Sequence, residues 1–375
     1  WGAVATCFSM LASVPTFLGL RFLLGAAESG AFPAMWYQLY QFYPLSAITL
    51  PFTALEVAVA GANVVAAPLA TMLMALDGAA GLRGWQVLFI AEGAPTIALG
   101  ALAALLLRDG PHHAEWLAPN ERRWLASKVE GSRKAGADAT AALGRKELIW
   151  EALKCPRVWW VSVMGLLKNV AAHGMLFWCP IIVAALLRGG GGHGGLGPTA
   201  NPAHLMHANA TAGAHGAHSH AALWPDDEDE AGGPAGGQHH HHGGLSASAR
   251  HALLLSCLPF AVAAVFAVWL GHHSQRTGER ALHLAGPYFL AGLAFASLPR
   301  AADASTALAF LTLVVIIACV QGSNSILNSL VPVIAPSPAS VPVALAMYNA
   351  VANLGGLLGP WLVGEVVQRG NGGYG

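Results

Sequence analysis

Long apolar runs, separated by short polar stretches, make up most of the chain. The runs lie at about 1–13, 16–40, 47–76, 85–107, 157–187, 250–272, 281–299, 305–334 and 339–367. Their hydrophobic positions are continuous rather than alternating, which favours helices over strands. Several runs reach the roughly 20 residues that a helix needs to cross the hydrocarbon of a bilayer. The pattern predicts an all-α polytopic membrane protein with about nine transmembrane helices.

The composition agrees with a membrane environment. The 375 residues are 55% hydrophobic and only 10% charged, whereas a soluble domain has about 25% charged residues. The formal net charge is zero, which argues against nucleic acid as a partner and leaves the lipid bilayer as the predicted surroundings. We therefore expect a multi-pass integral membrane protein of the plasma membrane or of an organelle envelope.

Other features of the sequence limit its chemistry. The five cysteines are scattered without a CxxC pair, so we expect no metal site, no cofactor and no disulfide framework. No apolar run contains a convincing nucleophile–base pair or set of metal ligands, so we expect no enzyme. The chain begins at Trp1 rather than at a methionine, and we expect it to be part of a longer protein.

A basic polar segment at 108–156 follows the fourth apolar run. It contains most of the lysine and arginine residues that lie between runs, which predicts a cytoplasmic central loop. Pro119 is placed to begin a short amphipathic helix with Trp124 and Leu125 on one face.

A second polar segment, at 188–249, is rich in glycine, alanine and histidine. This composition cannot bury a core, and it predicts a disordered, non-cytoplasmic insertion. The two segments divide the chain into a partial N-terminal bundle at 1–107, the first helix of a C-terminal bundle at 157–187, and the rest of that bundle at 250–375.

Arg21 and Glu28 are opposite charges inside an apolar run. Seven residues is close to two helical turns, so both side chains lie on one face of the predicted helix. Charges inside a membrane helix are costly and usually line a functional cavity. Arginine suits a carboxylate, and a partly buried glutamate can exchange a proton. The alternative is a structural ion pair that locks two helices.

Other polar residues within the runs leave two interpretations open. Glu56 faces either the same cavity or a neighbouring helix, and Lys168 and His173 lie in the middle of a run. His173 could bind substrate or relay protons, and the alternative is that it packs inside the protein. Two asparagine pairs, each spaced by one turn, either hydrogen-bond across helices or line a polar pocket. They are Asn324 with Asn328, and Asn349 with Asn353.

The stretch RFLLGAAESGAFPAMWYQLYQFYP at 21–44 resembles helix 4 of the anion:cation symporter branch of the major facilitator superfamily, which carries organic acids. GWQVLFIAEGAPTIALG resembles helix 6 of that branch, GMLFWCP helix 7, GHHSQRTGER the loop between helices 8 and 9, and YNAVANLGGLLGPWLVG helix 11. The resemblance implies family helices 3 to 11 of two pseudo-symmetric helical bundles, with the fold incomplete in this sequence.

The resemblance also implies roles for particular residues. Arg21 matches an arginine that binds the anion in relatives, and Glu28 a glutamate that takes part in proton coupling. Asn349 and Asn353 match polar positions of helix 11 that contact substrate. His173 stands where relatives often have tyrosine, a difference that can alter substrate choice.

The loop between family helices 8 and 9 contains a conformational motif in relatives. Gly271, Arg276, Gly278 and Arg280 fit that motif, and Gln275 replaces its aspartate. Glutamine keeps hydrogen bonding but loses the charge, so we expect a shifted conformational equilibrium.

These observations predict a secondary active transporter of a small organic anion, coupled to protons and working as a monomer. The alternatives are a truncated or non-transporting, sensor-like membrane protein, an inorganic phosphate or nucleotide carrier of the same fold, and a polytopic membrane enzyme.

Overall fold

A computed structural model describes residues 1–133, 144–189 and 247–370, which form helices and turns. The helices are α1 (Gly2–Cys7), α2 (Val14–Glu28), α3 (Ala31–Phe42), α4 (Thr49–Met74), α5 (Gly84–Leu106), α6 (Pro119–Gly131), α7 (Arg145–Lys154), α8 (Pro156–Gly189), α9 (Ala247–Thr277), α10 (Ala281–Ala304), α11 (Thr306–Gly322), α12 (Asn324–Ile334) and α13 (Val341–Gly370). The prediction of an all-α chain is confirmed.

Six helical segments of the described residues are long and apolar enough to cross a membrane, fewer than the nine predicted. They are Thr49–Met74, Gly84–Leu106, Leu255–Thr277, Ala281–Ala304, Thr306–Ile334 and Pro338–Val366. The predicted spans at 1–13, 16–40 and 157–187 are not among them. The last of these is nevertheless one continuous helix, α8.

The predicted span at 16–40 is divided into α2 and α3 at Ser29 and Gly30. The Ser29 hydroxyl donates a hydrogen bond back to the Ala26 carbonyl at 2.8 Å, and glycine is a weak helix former. The 15 residues of α2 extend only about 22 Å, less than the hydrocarbon thickness of about 30 Å. In the predicted span at 1–13, the α-helix α1 is shorter still and has only six residues.

Close helix packing depends on small residues. Helix α13 lies along α8, and Gly355 and Gly359 of α13 face the backbone carbonyls of Leu166 and Val170. Helices α9 and α10 pack on α11, whereas α1 and α4 pack on α5. The first five helices and the helices from α8 onward thus form two groups, which meet where α4 contacts α9 and α12 and where α3 contacts α13.

A buried apolar cluster joins the two groups. It contains Trp36 and Tyr40 of α3 and Phe52 of α4, together with Leu345 and Tyr348 of α13. The outer surfaces are also apolar, with exposed side chains such as Met72, Leu105, Phe289 and Leu357. Large hydrophobic residues on both sides of a helix are expected when one side faces the protein and the other faces lipid.

In the central loop, α6 begins at Pro119, as predicted. Ala126 and Val129 of this helix are buried, Leu125 is half-buried and Trp124 is exposed. The C-terminal end of α6 lies close to α3. Just after α6, the guanidinium of Arg133 lies 3.9 Å from the ring centroid of Tyr40 of α3. The predicted insertion at 188–249 lies almost wholly outside the described residues.

Candidate functional site

Polar side chains follow one face of α4 where it contacts α12. Thr49, Thr53 and Glu56 lie at spacings of four and three residues, which places them on the same side of a helix. Thr53 Oγ1 donates to Ser325 Oγ at 3.0 Å, and Thr49 Oγ1 lies 3.5 Å from Ser329 Oγ. The four hydroxyl residues are buried. The two groups of helices are therefore held together here by hydrogen bonds as well as by apolar packing.

Glu56 is the last residue of this polar face, about one helical turn after Thr53. Its Oε2 accepts a hydrogen bond from Asn324 Nδ2 at 2.6 Å, and its Oε1 accepts one from Asn328 Nδ2 at 2.8 Å. The two asparagines are one turn apart on α12, so their amides face the carboxylate together. Each oxygen of the Glu56 carboxylate has its own donor.

The carbonyls of the same two amides are also bonded. Lys168 Nζ donates to Asn324 Oδ1 at 2.7 Å, and Tyr348 Oη donates to Asn328 Oδ1 at 2.6 Å. An amide whose carbonyl oxygen accepts from a donor has its NH₂ group directed away from that donor. Lys168 and Tyr348 thus fix both asparagine amides with their donors toward Glu56. We call Glu56, Lys168, Asn324, Asn328 and Tyr348 the Glu56 network.

Aromatic residues border the Glu56 network. The ring of Trp36 lies 5.8 Å from that of Tyr348, and Gly165 of α8 leaves the space that the Tyr348 ring fills. Within the described ranges, Trp36 Nε1 and Tyr288 Oη are buried without a hydrogen-bond partner. Polar atoms buried in this way are uncommon and are available to a ligand or to water.

Arg21 and Glu28 both lie on α2, and their charges interact. The sequence predicts that Arg21 binds the anion and that Glu28 takes part in proton coupling. The guanidinium carbon of Arg21 is 5.7 Å from the Phe8 ring centroid and 5.4 Å from that of Phe17. Such positions over aromatic rings are favourable for a cation. Glu28 is the last residue of α2.

The other predicted site residues are distributed over α8 and α13. Asn349 is buried and its Nδ2 donates to the Ser29 carbonyl at 3.1 Å, directly after Glu28. His173 Nδ1 lies 3.1 Å from the Asn169 carbonyl. Asn353 is exposed. The structure thus brings Asn349 to the end of α2.

The predicted conformational loop meets the start of α4. Gln275 Oε1 accepts a hydrogen bond from the Leu50 N–H at 2.9 Å, which is one of the free donors at the helix N-terminus. Arg280 donates to the Leu45 carbonyl at 3.0 Å, and Gly271 lies against Thr53.

Two other residues of the loop motif have local roles. Gly278 has a φ of +70°, a conformation that favours glycine. Arg276 is exposed. Nearby, backbone hydrogen bonds, first of all from Leu282, lower the pKa of Glu279.

Residues 1–208 of the chain match the Major Facilitator Superfamily. The chain belongs to this family. It is 28% identical over 372 residues to a protein of Agrobacterium vitis described as a tartrate transporter, covering 98% of the chain and 69% of the relative. A second such protein of the same organism is 26% identical over 98% of the chain and 66% of the relative. A quinolone resistance transporter of Acinetobacter baumannii is 32% identical over 49% of the chain and 41% of the relative.

Membership of the Major Facilitator Superfamily fixes the class of protein. The chain is an integral, multi-pass membrane protein of a transporter family rather than an enzyme. It spans about two thirds of the length of the two Agrobacterium relatives. In the part that the structure describes, no group of three or more His, Cys, Asp or Glu side chains is placed to hold a metal ion.

The sequence analysis did not predict that the five residues of the Glu56 network contact one another. The sequence left open whether Glu56 faces a cavity or a neighbouring helix, and whether Asn324 and Asn328 hydrogen-bond across helices or line a pocket. The structure answers both questions with the same contact. The available signal was a glutamate and a lysine in separate apolar runs, together with an asparagine pair spaced by one turn.

Proposed function

We propose that the protein is a secondary active transporter that moves a small organic anion with a carboxylate across the membrane together with protons. The observation that carries this proposal is the Glu56 network, in which ionisable and amide side chains meet between two groups of apolar helices. Ionisable residues within membrane helices usually mark a substrate or ion path. The Agrobacterium relatives described as tartrate transporters support the choice of a carboxylate.

Arg21 is proposed to bind the anion and Glu28 to carry the proton. Both lie on α2, and the Asn349 amide reaches the end of that helix. Asn349, Asn353 and His173 are proposed to contribute polar contacts to the substrate. A guanidinium makes two charge-assisted hydrogen bonds to a carboxylate and does not lose its proton, whereas glutamate can be protonated and deprotonated in each cycle.

Alternating access is proposed to separate α4 from α9 and α12. In the present conformation the contacts of Thr53 with Ser325 and of Leu50 with Gln275 hold these helices together. With the central loop on the cytoplasmic side, as its basic residues predict, these contacts close the cytoplasmic entrance. The carrier is proposed to work as a monomer within the bilayer.

The test is uptake of radiolabelled tartrate by the full-length protein in liposomes, with and without an inward proton gradient. We expect the gradient to drive accumulation, and unlabelled phosphate and nucleotides not to compete. Failure to take up tartrate while taking up phosphate would identify the carrier of inorganic ions instead. Uptake of no anion at all would favour the non-transporting protein.

Proton coupling is tested with Glu28→Gln. We expect this variant to lose gradient-driven accumulation but to retain part of the tartrate counterflow, because exchange needs no net proton movement. Glu92→Gln is the matched control, since Glu92 is an exposed glutamate of the membrane helix α5. Equal loss of accumulation and counterflow in Glu28→Gln would remove the coupling role.

A further inference from the structure

The Glu56 carboxylate has the character of a ligand seated in a site built by other helices. Its two hydrogen-bond donors come from Asn324 and Asn328 of α12. The groups that orient those donors come from Lys168 of α8 and Tyr348 of α13. Glu56 is the one residue of the network that lies on α4, which belongs to the first group of helices, whereas the other four lie on helices of the second group.

The arrangement fits a carboxylate independently of Glu56. Two amide N–H donors one helical turn apart each reach one carboxylate oxygen, and the Lys168 ammonium adds positive charge behind one of them. Asn328 and Tyr348 are buried, so their orientation is fixed by packing as well as by hydrogen bonds. These four residues keep their mutual contacts if α4 moves away.

We propose that Asn324 and Asn328, held by Lys168 and Tyr348, form a binding site for a carboxylate of the transported anion, and that Glu56 occupies this site as a tethered substitute in the present conformation. The inference rests on the proposed function, and it adds a substrate contact on the second group of helices to Arg21 on the first.

Anion binding at this site favours separation of the two groups of helices. Withdrawing Glu56 leaves the amide donors of Asn324 and of the buried Asn328, together with the Lys168 charge, without an anionic partner, which is costly. A substrate carboxylate in the same position restores those interactions. Because Glu56 and the substrate exclude each other, the anion stabilises the conformation in which α4 has moved from α12.

The test measures tartrate affinity in the full-length protein, purified in nanodiscs, by isothermal titration calorimetry. Glu56→Gln keeps the size of the side chain but removes the competing charge, and we expect tartrate to bind about tenfold more tightly. Asn324→Leu removes one of the proposed donors, and we expect binding to weaken about tenfold or more. Tartramide, the neutral diamide, should show no gain in affinity with Glu56→Gln.

Thr53→Ala is the matched control for loosening of the helix contact. It removes the hydrogen bond to Ser325 one turn before Glu56 but leaves the carboxylate in place. We expect tartrate affinity to rise clearly less in Thr53→Ala than in Glu56→Gln, because the Glu56 carboxylate still occupies the site. An equal gain in both variants would mean that looser packing, not a vacated site, raises affinity, and would overturn the inference.

The remaining outcomes separate this inference from the proposed function. Unchanged or weaker tartrate binding in Glu56→Gln, with normal binding by the unmodified protein, overturns the tethered substitute and leaves the organic anion carrier intact. Absence of tartrate binding in every variant overturns both. Binding that is detected only in Glu56→Gln supports a site that Glu56 blocks. Thermal unfolding of each variant, followed by tryptophan fluorescence, verifies that the protein compared is folded.

Discussion

Asn328 donates a hydrogen bond to the carboxylate of Glu56 at 2.8 Å, across the contact between α12 and α4. The two residues are 272 positions apart in the chain. The carbonyl of the same Asn328 amide accepts from Tyr348 of α13. One buried side chain therefore links three helices, and several consequences can be measured.

Replacement of Asn328 by leucine should destabilise the protein. The change leaves Tyr348 Oη without its acceptor and removes one donor from Glu56, and unsatisfied buried polar groups cost about 1–3 kcal/mol each. Thermal unfolding in detergent, followed by tryptophan fluorescence, measures the effect. Asn353→Leu is the control, because Asn353 is exposed on α13 and should change stability by no more than about 0.5 kcal/mol. Equal melting temperatures for the two variants would contradict the hydrogen bonds described.

Replacement of Gly355 by alanine should weaken the packing of α13 on α8. An added Cβ would lie 2.8 Å from the backbone nitrogen of Val170 and still closer to the Leu166 carbonyl. Overpacking of this kind costs about 1–3 kcal/mol. At Gly292 of α10 nothing lies within 4 Å of an added Cβ, so Gly292→Ala should be neutral or stabilising by up to about 1 kcal/mol. Unfolding temperatures that fall equally in both variants would argue against the close approach.

Gln275→Glu should favour the present conformation of the loop. It places a negative charge at the N-terminus of α4, where the Leu50 N–H already meets the Gln275 side chain. A charge in this position contributes about 0.3–1 kcal/mol, so hydrogen–deuterium exchange in peptides that contain Leu50 should slow about two- to fivefold. His272→Gln is the control at an exposed position of the same segment. Faster exchange in Gln275→Glu would contradict the prediction.

Arg21→Lys should weaken tartrate binding about tenfold, because an ammonium cannot make the two parallel hydrogen bonds of a guanidinium. Calorimetry on the full-length protein measures the dissociation constant. Arg83→Lys, at an exposed arginine before α5, should leave affinity unchanged. If Arg21→Lys lowers the unfolding temperature without changing affinity, Arg21 stabilises the helices through Phe8 and Phe17 and does not bind the anion.

Much of the local structure could be predicted from the sequence. Continuous apolar runs identified most of the long helices, and Pro119 marked the start of α6. The interruption at Ser29 and Gly30 was missed, because the apolar pattern continues through both residues and only local hydrogen bonding and helix propensity divide it. The sequence did not indicate that the smaller residues Ala126 and Val129 are the buried ones in α6, because burial depends on contacts with other helices.

The sequence by itself determined that this protein is helical, lies in a membrane and resembles the Major Facilitator Superfamily, because helix periodicity, apolar length and local motifs are properties of neighbouring residues. Only the tertiary structure decided that Glu56 meets Asn324, 268 residues away, and that Lys168 and Tyr348 orient the amides around it. Contacts between helices that are far apart in the chain are set by tertiary packing. The spacing of residues along one helix shows which of them share a face, but it does not show which other helix that face contacts.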